Sequence, residues 1–127
     1  MSNGRFTAAM NCMDGRTQLP VIEWMKREHG VDYVDSITEP GPVRILADAA
    51  DTAALESIRR RLGISVTRHG TTRVAIVAHA DCAGYPADKQ TQMSQLHAAA
   101  AAVLSWNMDV RLDLLWIGAD WKVERVG

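Results

Sequence analysis

The sequence predicts an α/β fold of three layers: a mainly parallel sheet, helices on both faces, and a C-terminal β-hairpin or antiparallel edge strand. Three observations predict it. Two apolar runs, Phe6 to Cys12 and Val74 to Ala78, read as strands covered on both faces. Segments with helical spacing alternate with them, which favours parallel pairing through crossover helices. The last stretch, Arg111 to Val126, has two strand-like runs separated by Gly118-Ala119-Asp120, a hairpin pattern.

Taken in order, Phe6 to Cys12 is the first strand, broken by Met13-Asp14-Gly15-Arg16-Thr17. A helix follows, with Pro20 placed near its first turn, apolar Val21, Ile22, Trp24 and Met25, and Gly30 as a stop. Val31 to Ile37 alternates and reads as a second strand, ended by the loop Glu39-Pro40-Gly41-Pro42. Val43 to Leu46 reads as a brief strand or as more of that loop. Asp51 is a plausible N-cap for a helix carrying Leu55, Ile58, Leu62 and Val66 on one side, with Arg59-Arg60-Arg61 as a solvated face and Gly70 as its end. Val74 to Ala78 is the most buried strand, and His79-Ala80-Asp81-Cys82-Ala83-Gly84 follows at once. A long helix from about Lys89 to Trp106 precedes the hairpin, with Ala98 to Ala102 as the place for a close neighbour.

Length and charge narrow the function. A chain of 127 residues fits one domain, residues 1–127, and can bury a core without disulfide staples. Fifteen acidic and fourteen Lys+Arg side chains give a net charge of −1, which argues against a broad nucleic-acid surface. An apolar share of 47% excludes wholesale disorder. There is no apolar run long enough for a membrane span, and the first residues lack a secretory layout, so a cytoplasmic protein is expected.

Both cysteines fall where open α/β sheets collect their chemistry, just outside the carboxyl ends of strands. Cys12 ends the first run, and His79 and Cys82 follow the most buried one. Thiolate and imidazole are zinc ligands, and a catalytic site takes three from the protein and leaves the fourth position open. Cys12, His79 and Cys82 supply such a set. The competing reading makes the cysteines small buried hydrophobes and His79 a hydrogen-bonded strand cap. Asp14 and Arg16 add a second feature. In extended chain they share a face with Cys12, and an ion pair between them keeps the carboxylate ionised and oriented. Asp14 then either accepts a hydrogen bond from water on the metal or swings in as the fourth ligand. Asp81 reads as an N-cap or loop hydrogen-bonder, and Trp106, Trp116 and Trp121 as core or subunit-interface aromatics.

Cys12-Met13-Asp14-Gly15-Arg16 resembles the Cys-x-Asp-x-Arg motif of the β-class carbonic anhydrases, and His79-Ala80-Asp81-Cys82 resembles that family's His-x-x-Cys motif. The order matches, and the similarity runs from about residue 5 to 85, with the hairpin matching loosely. The resemblance implies a zinc ion on Cys12, His79 and Cys82, an Asp14–Arg16 dyad, and reversible hydration of carbon dioxide to bicarbonate by hydroxide generated at the zinc. It also implies a homodimer or higher homo-oligomer. Two thiolates cancel the charge of zinc, so activity is expected to favour mildly alkaline pH. The chain departs from the family at Gly15, at Ala83, and at Thr38-Glu39-Pro40-Gly41-Pro42 beside the expected cleft. Two alternatives therefore stand: a zinc hydrolase of carbonyl sulfide or carbon disulfide, or a non-catalytic zinc or redox module of the same fold.

Overall fold

The computed structural model describes residues 4–127. Its elements are β1 (Phe6–Cys12), α1 (Gly15–His29), β2 (Tyr33–Glu39), α2 (Pro42–Asp48), α3 (Thr52–His69), β3 (Arg73–His79), α4 (Lys89–Leu104), β4 (Arg111–Ile117) and β5 (Val123–Arg125). The sheet order is β2-β1-β3-β4-β5. The first four strands pair in parallel and β5 returns antiparallel to β4, as the terminal hairpin predicts. Among the described residues no helix is long and apolar enough to cross a membrane.

Helices cover both faces. One core packs α2, α3 and α4 on the sheet through Leu46, Ile58, Leu62, Leu96, Ala99 and Val103. The other packs α1 through Val21, Trp24 and Met25 on Ala9, Ala75, Val77, Leu115 and Ile117. Because β1 and β3 are central, both of their faces are covered, and this is why they read as unbroken apolar runs. Each fully buried Leu or Ile contributes about 1.5–3 kcal/mol. Away from the site, the buried carboxylate of Asp113 is held by His29 Nε2 at 2.5 Å, Arg125 at 3.0 Å and Arg73 at 3.4 Å. A buried charge needs such partners, and these ones tie the end of α1 and the edge strand β5 to the sheet.

Three expectations need correction. Val43 to Leu46 is neither strand nor loop but part of α2, which starts at Pro42 after Gly41 in the left-handed region at φ 68°. Proline at a first helical position needs no N–H partner, and that start was hidden inside the Pro/Gly cluster. β2 lies two residues later than the alternation from Val31 suggests, because it is half exposed and carries Asp35 and Ser36 within it. α1 begins at Gly15 rather than near Pro20, which sits well inside it, so Asp14 and Arg16 are not extended chain. They are an N-cap and a residue of the first turn.

Gly84 stands where the loop after Cys82 crosses the Pro40-Gly41 loop. A Cβ there would lie 2.5 Å from the Pro40 carbonyl carbon and 2.8 Å from the Gly41 nitrogen. Backbone cannot step aside as a flexible side chain would. Gly84→Ala is therefore expected to destabilise the fold by about 1–3 kcal/mol, read as a lower midpoint of urea unfolding; an unchanged midpoint would contradict the crossing described here.

Candidate metal centre

Cys12 is the last residue of β1, and its backbone is pinned on every side. Its N–H donates to Asn11 Oδ1 at 2.9 Å, and its carbonyl accepts from Gln18 Nε2 at 2.7 Å and Thr17 Oγ1 at 3.3 Å. His79 is the last residue of the neighbouring strand β3. Asp81 then takes the left-handed conformation, φ 57°, which turns the chain back so that Cys82 returns beside His79. Aspartate tolerates that conformation better than most residues.

The outcome is convergence of three buried groups. Among the described residues Cys12, His79 and Cys82 form a set whose ligand atoms all lie within 4.8 Å of one another, and they could hold a metal ion. The two sulfurs are 3.8 Å apart, within S–H···S hydrogen-bond reach and not joined in a disulfide. Two sulfurs about 2.3 Å from one tetrahedral ion would lie about 3.8 Å apart, so the spacing fits zinc. His79 Nδ1 lies 2.7 Å from the Ala80 carbonyl and donates to it, which leaves Nε2 with the lone pair. That buried Nε2 has no hydrogen-bond partner. An orphaned imidazole nitrogen facing two thiols is costly unless a metal or a proton satisfies it.

Electrostatics prepare the ligands unequally. Burial pushes the Cys12 thiol up, but the His79 imidazole and the backbone of Gly41 and Asp14 outweigh it and bring the pKa down to about 7. Burial and the nearby Cys12 raise the Cys82 thiol above its ordinary 9.0. For His79, burial lowers the value, and the Cys12 sulfur with the Ala80 carbonyl more than reverses it.

Asp14 sits at the mouth. Its Oδ1 accepts from the Arg16 backbone N–H at 2.9 Å, capping α1, and from Arg16 Nε at 3.0 Å. Its Oδ2 accepts from Arg16 Nη2 at 2.6 Å. This two-oxygen grip by the Arg16 side chain and backbone lowers the Asp14 carboxyl to about 2. Asp14 is turned to Arg16 and is not one of the converging ligand groups. Arg16 in turn reaches Asp81 Oδ2 and the Asp81 carbonyl, each at 3.3 Å, and its Cζ lies 4.2 Å over the Trp121 ring. Behind the ligands is a cavity of about 10 Å³, room for roughly one water, lined by Cys12, Val43, Val77, His79, Tyr85 and Gln92 among others.

The structure thus brings together the three sequence-predicted ligands and keeps the Asp14–Arg16 pair. Of the two readings of Asp81, the loop hydrogen-bonder holds: it accepts from Arg16, and Asp88 is the N-cap of α4. Sequence reasoning missed the place of two other neighbours. Gln92 is buried and donates to the His79 carbonyl at 3.1 Å, and Trp121, read only as a core or interface aromatic, covers Arg16. Neither carries a sequence signal for that place.

In metal-free protein, ultraviolet thiolate absorbance should show two separate steps, one near pH 7 from Cys12 and one above the ordinary cysteine range from Cys82. His79→Ala should move the first step up. One shared transition near the ordinary value, unmoved by that substitution, would contradict the arrangement.

Comparison with curated proteins gives no match. Among solved structures, a β-carbonic anhydrase, isoform I from the protozoan Trichomonas vaginalis, aligns with a TM-score of 0.53 at 16% identity, covering 93% of this chain and 80% of that one. At that identity the likeness concerns the fold alone. The model of a family described as "Putative carbonic anhydrase" matches residues 2–127. With both motifs inside that match, and their side chains converging at the strand ends of a β-carbonic-anhydrase-like fold, the chain belongs to that carbonic anhydrase family.

Proposed function

We propose that the chain is a zinc enzyme that hydrates carbon dioxide to bicarbonate, reversibly, with Cys12, His79 and Cys82 holding the metal. One observation carries the reading: an unpartnered buried Nε2 faces two sulfurs at tetrahedral spacing, with an ionised carboxylate next to them that belongs to another partner. When bound, zinc supplies a nucleophile from water near neutral pH by lowering its pKa from ~15.7 towards ~7.

The protein's own groups divide the remaining work. His79, fixed in one tautomer by the Ala80 carbonyl, and the two cysteines bind. Cys12 is deprotonated most readily, since its pKa is already about 7. Asp14 stays ionised down to about pH 2 and acts as the acceptor that orients the attacking group. Arg16 keeps that carboxylate away from the ligand set, which leaves the fourth position to solvent and substrate. The small cavity, walled in part by Val43, Val77 and Tyr85, has room for about one water. Those apolar side chains beside the candidate ligands are what favours carbonyl sulfide or carbon disulfide as the alternative substrate. A homodimer, expected from the resemblance, would cover apolar side chains now exposed, such as Met13 and Leu19.

Stopped-flow hydration of carbon dioxide by protein of known zinc content tests this reading, with the two sulfur substrates assayed alongside. Asp14→Asn is the informative variant, because asparagine still caps a helix while it loses the charge and one of the two acceptor oxygens that Arg16 grips. It should keep its zinc and lose activity by about a hundredfold or more. Wild-type turnover in that variant would remove Asp14 from the mechanism.

A further inference from the structure

We propose that Trp121 is a positioning residue of this site: its indole face seats the Arg16 guanidinium, and thereby fixes Asp14 clear of the three ligands. This rests on the function proposed above for the consequence in turnover, but not for the geometry.

Arg16 needs such a seat. Its side chain is 48% exposed, and its second carboxylate partner, Asp81, is 82% exposed. Exposed ion pairs are weak, because holding two mobile side chains in one geometry costs entropy and water screens the charges. Yet that guanidinium is what holds Asp14 Oδ2, the oxygen that the helix cap leaves unheld. The indole supplies what the ion pairs lack, a rigid plate 4.2 Å under Cζ, close enough for a cation–π attraction. The same ring lies 6.2 Å from that of His79, so one side chain touches both the dyad and the ligand shell.

The backbone gives an independent sign. Trp121 has φ 60° in the turn between β4 and β5, and its N–H closes that turn onto the Gly118 carbonyl at 3.0 Å. Glycine suits such a position, and a bulky aromatic is strained there. The strain is compensated by what the side chain touches: Arg16 on one side, and the core around Leu115 and Ile117 on the other. The C-terminal hairpin thus brings a roof to a site made from residues far earlier in the chain.

Three variants test this: Trp121→Phe keeps an aromatic face, Trp121→Leu keeps apolar bulk without one, and Trp121→Gly relieves the backbone. In the metal-free protein, the Arg16 Nε–H resonance should lose its ring-current shift in the Leu and Gly variants and exchange with water about two- to fivefold faster; Phe should restore most of the protection. In cobalt-substituted protein, Leu and Gly should move the visible spectrum toward that of Arg16→Ala, as Asp14 becomes free to reach the metal. Turnover should fall through kcat, with KM unchanged. Should the Leu variant fail to fold, the Gly variant carries the same readings. An Arg16 signal and a cobalt spectrum unchanged in Leu and Gly, whatever happens to stability, would reduce Trp121 to a core residue and overturn the proposal. Absence of turnover in the wild type would instead sink the function proposed above, and leave the Arg16 resonance to decide on Trp121.

Discussion

Everything about this site depends on two adjacent parallel strands ending side by side. β1 and β3 are neighbours in the middle of the sheet, with both faces packed, so Cys12 and His79 are placed by the core and not by a loop. One hydrogen bond then decides which ring nitrogen meets the sulfurs. With His79 Nδ1 committed to the Ala80 carbonyl, the buried Nε2 is left without a hydrogen-bond partner beside Cys12 and Cys82. Ordering entropy, the main cost of assembling a site, has been met by the sheet before any ligand arrives. Removing the strand pairing would separate Cys12 from His79, whereas Cys82 depends in addition on the left-handed turn at Asp81 that follows β3.

Asp14 shows how economically the mouth is built. Its Oδ1 caps α1 while both oxygens bind the side chain of Arg16, so one carboxylate ends a helix and holds the guanidinium beside the candidate ligands. The charge that favours the N-terminus of a helix is the same charge that the proposed mechanism uses. Arg16 links this corner to two distant segments, the turn at Asp81 and the hairpin at Trp121. Arg16 thereby ties the mouth of the candidate metal site to the last elements of the chain.

Much of this was legible in the sequence, for identifiable reasons. β1, α3, β3 and the closing hairpin show because burial on both faces or a clear helical stripe leaves a strong pattern, and the candidate ligands show because Cys12 and His79 end the two strongest strands and Cys82 follows just after. α2 was hidden because a proline that starts a helix looks like a proline in a loop. β2 was displaced because Asp35 serves Ser65 and His69 from a half-buried strand, which blurs its alternation. Trp121 and Gln92 could not be placed, since their roles come from contacts across the fold with residues remote in sequence. The charges of Asp14 and Arg16 mark the pair, while its helical backbone leaves no mark, because nothing before Pro20 carries an apolar helical stripe.

The most direct measurement is X-ray absorption at the zinc edge on purified, reduced protein with its zinc quantified. The account predicts one zinc per chain with two sulfurs at about 2.3 Å, one imidazole nitrogen at about 2.0–2.1 Å and one light-atom ligand from solvent. A protein that does not retain zinc, or one whose zinc shows any other sulfur count, would contradict it.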